Sequence, residues 1–217
     1  MNEQHNDARY NHLVERLRAQ LGGRSKRDLI EQMIVHSPHP VATEKMVVAL
    51  EVYPLLLLLL ACDHPTKLWI LDRGEKPSSA EILNESALAK KWHTAGISID
   101  ECEGVTEVVD DYVATVVSWK TLLIMRHEFA HAVTTFFSPS TRNALLRLYQ
   151  EAKGRERFTE PLAMESLGEY AACGLSYYFF PDLREELKSV DRKLFDLVHG
   201  LLAEAEELSI QIAGQLA

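Results

Sequence analysis

The sequence predicts an α+β fold that is predominantly helical, with one small sheet ahead of a run of helices. Residues 96–118 carry three short runs rich in β-forming residues, GISI, VTEVV and YVATVVS, which predict two or three short strands. The segments on either side place apolar residues at helical spacing. A hydrophobic fraction of 47% over 217 residues is enough to bury a substantial core.

Two helices are predicted at the start of the chain, over 9–21 and 26–35. The SPHP segment at 37–40 then interrupts helical structure, because proline lacks a backbone donor and restricts the residue before it. A further helix is expected from Thr43, and Pro54 kinks or divides it.

The apolar run VYPLLLLLLAC at 52–62 has about half the length that spans a bilayer, so it predicts a buried element covered on all sides. KLWILD at 67–72 predicts a strand. Ser78 with Glu81 has the pattern of a capping box for a helix reaching about Trp92.

Four helices are predicted after the sheet, separated by Ser138-Pro139, Gly154 and Pro181. They are expected over 120–137, 140–153, 160–180 and 182–213.

The formal net charge of −9, with no cluster of Lys and Arg, argues against nucleic acid and against a membrane as partners. Three widely spaced cysteines, Cys62, Cys102 and Cys173, favour reduced thiols over a disulfide framework. The N-terminus has no apolar segment behind a basic start, so we expect a cytoplasmic protein without a signal peptide. Leaderless export, as an injected effector would use, is compatible with the same sequence.

The segment HEFAH at 127–131 is the strongest chemical signal in the chain. On a helix, His127 and His131 lie one turn apart on one face, close enough for both imidazoles to reach one ion. Glu128 is rotated to one side, where it can act as a general base on a water bound to the metal. We therefore predict one Zn²⁺ per chain on these histidines. The alternative is a helical domain whose HEFAH holds no metal.

A third protein ligand is expected for a catalytic zinc. Glu165 and Glu169 are four residues apart on the predicted helix, which Thr159 would cap and Pro161 would open. Both lie in an apolar context where an unpaired carboxylate is costly. We predict Glu165 as the third ligand and Glu169 as the carboxylate that supports a ligand histidine.

Over residues 119–200 the sequence resembles a family. HEFAHAV, the ExxxE pair that begins 34 residues after His131, and YYFFPDLREELKSVDRKLFDLV are similar to the gluzincin metallopeptidases related to anthrax lethal factor, which include Mlc titration factor A and the Pro-Pro endopeptidases. The resemblance implies a zincin-like fold and peptide-bond hydrolysis. It implies the same roles for His127, Glu128, His131, Glu165 and Glu169. Residues 96–217 would then form the catalytic region, with 1–95 as a mostly helical region packed on it.

One position departs from the family. Its members place a tyrosine seven residues before the ligand glutamate, where the phenol stabilises the oxyanion, and this chain has Phe158 there. Loss of such a donor costs on the order of a hundredfold to a thousandfold in rate. Tyr170 and His199 are further candidates for contact with the substrate or the oxyanion.

Two functions follow from the resemblance. The first is a zinc-dependent peptidase, endopeptidase or aminopeptidase, acting on a peptide or protein that lies along a sheet edge, for which we suggest the strand at 112–118. The second is a catalytically weak or inactive zincin that acts as a protein-binding regulator. A regulatory protein partner is compatible with either.

Overall fold

The computed structural model describes residues 15–83 and 98–214. Residues 15–21 are helical. The remaining helices are α1 (Lys26–Met33), α2 (Pro40–Leu50), α3 (Leu55–Asp63), α4 (Leu122–Thr134), α5 (Pro139–Arg155), α6 (Leu167–Tyr178), α7 (Pro181–Val190) and α8 (Arg192–Ala213). The strands are β1 (Ile34–His36), β2 (Thr66–Leu71), β3 (Gly104–Val109) and β4 (Tyr112–Ser118). Four 3₁₀ turns occupy Pro77–Ser79, Glu81–Leu83, Ile99–Glu101 and Leu162–Met164.

The four strands form one mixed sheet in the order β1-β2-β4-β3. β1, β2 and β4 are parallel. β3 is antiparallel to β4, and a tight turn at Asp110 joins the two strands. β3 is therefore an edge strand in the part of the chain that the structure describes. The suggestion that 112–118 supplies a sheet edge is wrong, because β4 is hydrogen-bonded on both sides, to β2 and to β3.

Each face of the sheet packs against a different hydrophobic cluster. Val113 and Val117 of β4 face the large cluster formed with the helices. Ala114 and Val116 face a smaller cluster that includes Ile99. This alternation follows from the two-residue period of a strand, and it places β4 between two apolar layers.

Helix α4 lies in the large cluster, beside β3, β4, α2 and α6. Thr121 caps it, accepting a hydrogen bond from the Ile124 N–H. Met125, Phe129 and Val133 are fully buried, as the helical spacing of the apolar residues requires.

Arg126, which sequence reasoning passed over, is buried on the same helix at 6% exposure. Its guanidinium donates to the carbonyl of Ala49 at 2.9 Å and to the carbonyl of Phe179 at 3.2 Å. These carbonyls belong to the last turn of α2 and the C-cap of α6, where carbonyls lack partners within their own helix. One cation therefore satisfies two helix C-termini and holds both against α4.

Several elements begin or end where a cap competes with the helical pattern. The helix predicted over 160–180 is divided, because Ser166 caps a new helix by accepting from the Glu169 N–H. The helix predicted over 182–213 is divided in the same way by Asp191, which accepts from the Leu194 N–H. Residues 34 and 35, predicted as the end of a helix, are extended and form β1 with His36, which pairs with β2.

Pro54 divides its helix, as one of the two expectations had it, and leaves Leu58 and Leu59 of α3 buried. Ser78 does not cap a helix within the described residues; its N–H and hydroxyl donate to the Asp100 carboxylate. Instead of that helix the chain forms the 3₁₀ turns Pro77–Ser79 and Glu81–Leu83, and residues 84–92 lie outside the described residues, as does the predicted boundary near residue 95. The sheet and the large core take residues from both sides of that boundary.

No single described helix is long and apolar enough to cross a membrane, although α2 and α3 together, bent by 119°, pass the same test of length and composition.

Replacing Arg126 by Met should lower the free energy of unfolding by about 2–4 kcal/mol, because two buried carbonyls lose their donor. Chemical denaturation with a two-state fit measures the change. Arg147→Met, at an exposed position of α5, is the matched control and should change stability by less than about 0.5 kcal/mol. Equal effects of the two substitutions would contradict the assigned role of Arg126.

Candidate metal centre

The helical turn between His127 and His131 brings their imidazoles to one point on the surface of α4. The two Nε2 atoms lie 3.1 Å apart, and the rings are nearly perpendicular. Both side chains are largely buried, with 13% and 17% exposure. Two imidazole nitrogens directed at one point form a pair of donors for a single cation.

Glu169 completes this group from the facing helix. Its Oε2 lies 3.0 Å from His127 Nε2 and 3.3 Å from His131 Nε2. The position of Glu169 is set locally, because its N–H donates to the Ser166 side chain that begins α6. Packing of α6 against α4 then fixes the carboxylate opposite the histidines.

The three donors fit a zinc ion. All three ligand atoms lie within 4.8 Å of one another. Donors about 2.0–2.2 Å from one ion in a tetrahedron are separated by roughly 3.3 Å, close to the distances found here. Two imidazole nitrogens and one carboxylate oxygen also form a donor set used by catalytic zinc, which leaves a fourth position for water or substrate.

Glu165, predicted as the third ligand, is not part of this group. It follows the 3₁₀ turn, precedes the first residue of α6, and is exposed at the cavity rim. The ExxxE spacing places two carboxylates on one face only when both lie on one helix, and the helix begins between them. Ser166-Leu-Gly-Glu169 has the S-x-x-E pattern of a helix N-terminus, and this signal could have identified the start.

Glu128 lies beside the histidines, buried at 8% exposure. The Thr106 hydroxyl of β3 is 2.8 Å from its Oε2. Gly104 is required at the start of β3 for space, since a Cβ there would lie 2.4 Å from Glu128 Cγ. The edge strand thus encloses the carboxylate and fixes its direction.

The pKa values of these groups reflect burial and mutual attraction. Burial raises the pKa of Glu128, and this effect exceeds the opposing effects of both histidines and Thr106. Burial also disfavours the charged form of Glu169, but hydrogen bonds with His127 and His131 overcome it and lower the pKa of Glu169 to about 2. The pKa of His127 is raised despite burial, through Glu169 and Glu128. One carboxylate is thus held ionised for binding, while its neighbour is the stronger base.

Behind His127, on the side away from Glu169, lies a buried thiol. Cys173 Sγ is 4.0 Å from His127 Nδ1 and donates to Glu160 Oε1 at 3.1 Å. Burial raises the pKa of Cys173, so the thiol is protonated at neutral pH. Sequence reasoning assigned neither residue a role at the site.

The group opens into a cavity of about 420 Å³ between β3, α4 and the segment 160–169. The cavity meets a second one of about 820 Å³ at Cys102 and Glu103, which line both. The second cavity continues past the start of β3 to Trp119 and to residues 71–77. Together they form a cleft that extends beyond the histidines.

Phe158, Tyr170 and His199 are absent from the described lining of the smaller cavity. Phe158 packs its ring against those of Tyr149 and Tyr170. The Tyr170 hydroxyl donates to Asp191 at 2.6 Å. His199 is on the surface of α8, with Nδ1 2.7 Å from the Tyr178 hydroxyl.

No protein-family model matches the chain, and no curated protein matches it. Among solved structures it is similar to the Pro-Pro endopeptidase PPEP-2 from Paenibacillus alvei, with a TM-score of 0.60 and 17% sequence identity. The match covers 80% of this chain and 99% of that chain. At this identity the likeness concerns the fold. The chain therefore has a zincin-like fold, mostly helical with a small mixed sheet, and carries a His-His-Glu group able to hold a metal.

Proposed function

We propose that this protein is a zinc-dependent endopeptidase. The observation that carries the proposal is the convergence of His127, His131 and Glu169 beside a buried glutamate in an open cleft. The similarity to a Pro-Pro endopeptidase supports the same reading. The third ligand in this proposal is Glu169, in place of Glu165.

The roles of the side chains follow from their positions. His127, His131 and Glu169 would hold the zinc, which supplies a Lewis acid for the scissile carbonyl and lowers the pKa of the attacking water. Glu128 accepts the proton of that water and passes it to the leaving amine. Burial raises the pKa of Glu128, which makes it a better base, and Thr106 keeps its carboxylate directed at the cleft.

The substrate is a polypeptide chain laid along β3. An edge strand offers backbone donors and acceptors that an extended peptide can pair with. β3 borders the smaller cavity from Gly104 to Thr106, directly beside Glu128. The cleft then continues into the larger cavity, which has room for residues beyond the scissile bond. A cleft of this extent favours an endopeptidase over an aminopeptidase.

A protein-binding regulator with little catalytic activity is the second candidate. Its support is the absence of any tyrosine from the described lining of the smaller cavity. The hydroxyls of Tyr149, Tyr170 and Tyr178 are bonded elsewhere, to Met164, Asp191 and His199. Loss of one oxyanion donor slows a reaction by a factor of about 100–1,000, so a zincin with such a cleft can bind a peptide well and cleave it slowly.

Wild-type protein should contain about one zinc per chain by elemental mass spectrometry, since the three donor atoms have the spacing and the chemistry of zinc ligands. His131→Ala and Glu169→Ala should each lose it. Glu165→Ala is the matched control, a glutamate of the same cavity outside the group, and should retain the zinc. If Glu165→Ala lost the zinc and Glu169→Ala retained it, Glu165 would be the third ligand, as the sequence predicted.

Glu128→Gln should retain zinc and reduce kcat at least about 100-fold, because the amide cannot accept the proton. Cleavage of a mixed peptide library, read by mass spectrometry, measures the loss. A variant that cleaves at the wild-type rate would rule out this base. If the wild-type protein binds zinc and library peptides but cleaves none, the regulator is the better reading.

Acetylation of the substrate's N-terminus should leave kcat/KM within about twofold, because an endopeptidase makes no use of the free amine. The comparison uses one cleaved peptide with and without the acetyl group. Shortening the same peptide at both ends, so that few residues remain beyond those that form the scissile bond, should lower kcat/KM by tenfold or more. Binding away from the reacting atoms contributes to the rate. Abolition of cleavage by the acetyl group alone would indicate an aminopeptidase.

A further inference from the structure

A group behind His127 would orient this histidine as a ligand, a role that rests on the metal site proposed above. His127 directs Nε2 at the other two donors, and its second nitrogen, Nδ1, faces α6. An imidazole that binds a cation through Nε2 carries its proton on Nδ1. That N–H needs an acceptor, which fixes the ring orientation and strengthens the ligand.

Cys173 occupies the acceptor position. It is fully buried, and its Sγ lies 4.0 Å from His127 Nδ1, within the range of a hydrogen bond to sulfur. Sulfur is a weak acceptor, so the thiol alone would hold the ring poorly.

Glu160 strengthens this weak acceptor. The Cys173 S–H donates to Glu160 Oε1 at 3.1 Å, and donation of that proton increases the electron density on sulfur that faces His127. Tyr177, one turn further along the helix, also interacts electrostatically with Glu160. Nδ1–H, Sγ–H and Oε1 then form one directed chain of donors and acceptors.

Helix α6 connects this series of hydrogen bonds to the candidate metal ligands. Glu169, Cys173 and Tyr177 are four residues apart in succession, so they lie along one face of α6. Glu160 reaches the same face from the segment before the 3₁₀ turn. One helix therefore supplies the third ligand and the group behind the first.

We propose that Cys173, supported by Glu160, is the positioning group of His127 and sets the affinity of the site for zinc. The thiol is a structural donor and acceptor in this role, and it contacts neither substrate nor metal. Glu160 bonds to the sulfur and not to His127, so the two residues act largely in series, and the Glu160 charge adds a direct attraction to the His127 ring.

The test measures the zinc dissociation constant by competition with a chromophoric chelator. Cys173→Ala and Glu160→Gln should each weaken zinc binding about 10–100-fold. Cys173→Ser, which retains a donor and an acceptor, should recover most of the affinity. In the Cys173→Ala background, Glu160→Gln should weaken zinc binding by less than it does in the wild type, because only the direct effect of the Glu160 charge on His127 remains to be lost.

Cys62→Ala is the matched control, since it truncates a second thiol, partly buried against the same hydrophobic cluster and away from the site. It should leave the zinc dissociation constant within twofold. Glu160→Gln removes no buried volume, so its effect separates positioning from packing. The inference is overturned if Cys173→Ala and Glu160→Gln both bind zinc like the wild type, if their effects add in full, or if Cys62→Ala weakens binding equally. A wild-type chain that binds no zinc would overturn the metal site together with the inference.

Discussion

The arrangement of the cleft depends on the burial of α4 on every side but one. A helix that carries two imidazoles and a glutamate can be buried only if its polar groups find partners, and each does so on a different side. Arg126 bonds to the ends of two helices, while Tyr53 donates to the Arg126 carbonyl. His127 and His131 lie on another face of the helix and face α6. The same interactions that bury the helix therefore direct its candidate ligands towards α6.

The sequence was sufficient where the chemistry is local. HEFAH placed His127, Glu128 and His131 on one helix because a four-residue spacing has one geometric meaning on a helix. The runs VTEVV and YVATVVS corresponded to β3 and β4, whose β-branched residues suit a strand, although of the two only β4 is buried on both faces. The predicted mostly helical α+β fold is also the observed one.

The sequence was insufficient where the answer depended on an element's end or on its neighbours. Glu165 and Glu169 are equivalent by spacing, and only the cap at Ser166 decides which of them the helix carries to the histidines. β3 and β4 look alike as apolar strands, yet which one is the edge depends on pairing with β2, far away in the chain. Arg126 gave no signal, because a lone arginine in an apolar run does not reveal the carbonyls it will meet.

The three candidate ligands come from two helices that are already packed and capped through other residues. The large hydrophobic cluster beneath them is complete from side chains alone, with Phe129, Tyr170 and Leu175 all buried. A zinc finger gains its fold when it gains its metal, whereas this packing implies a chain that would keep its fold without the proposed ion. Removal of the proposed zinc would then abolish binding at the site without unfolding the chain, so the apo and metal-bound forms would interconvert with the free metal concentration.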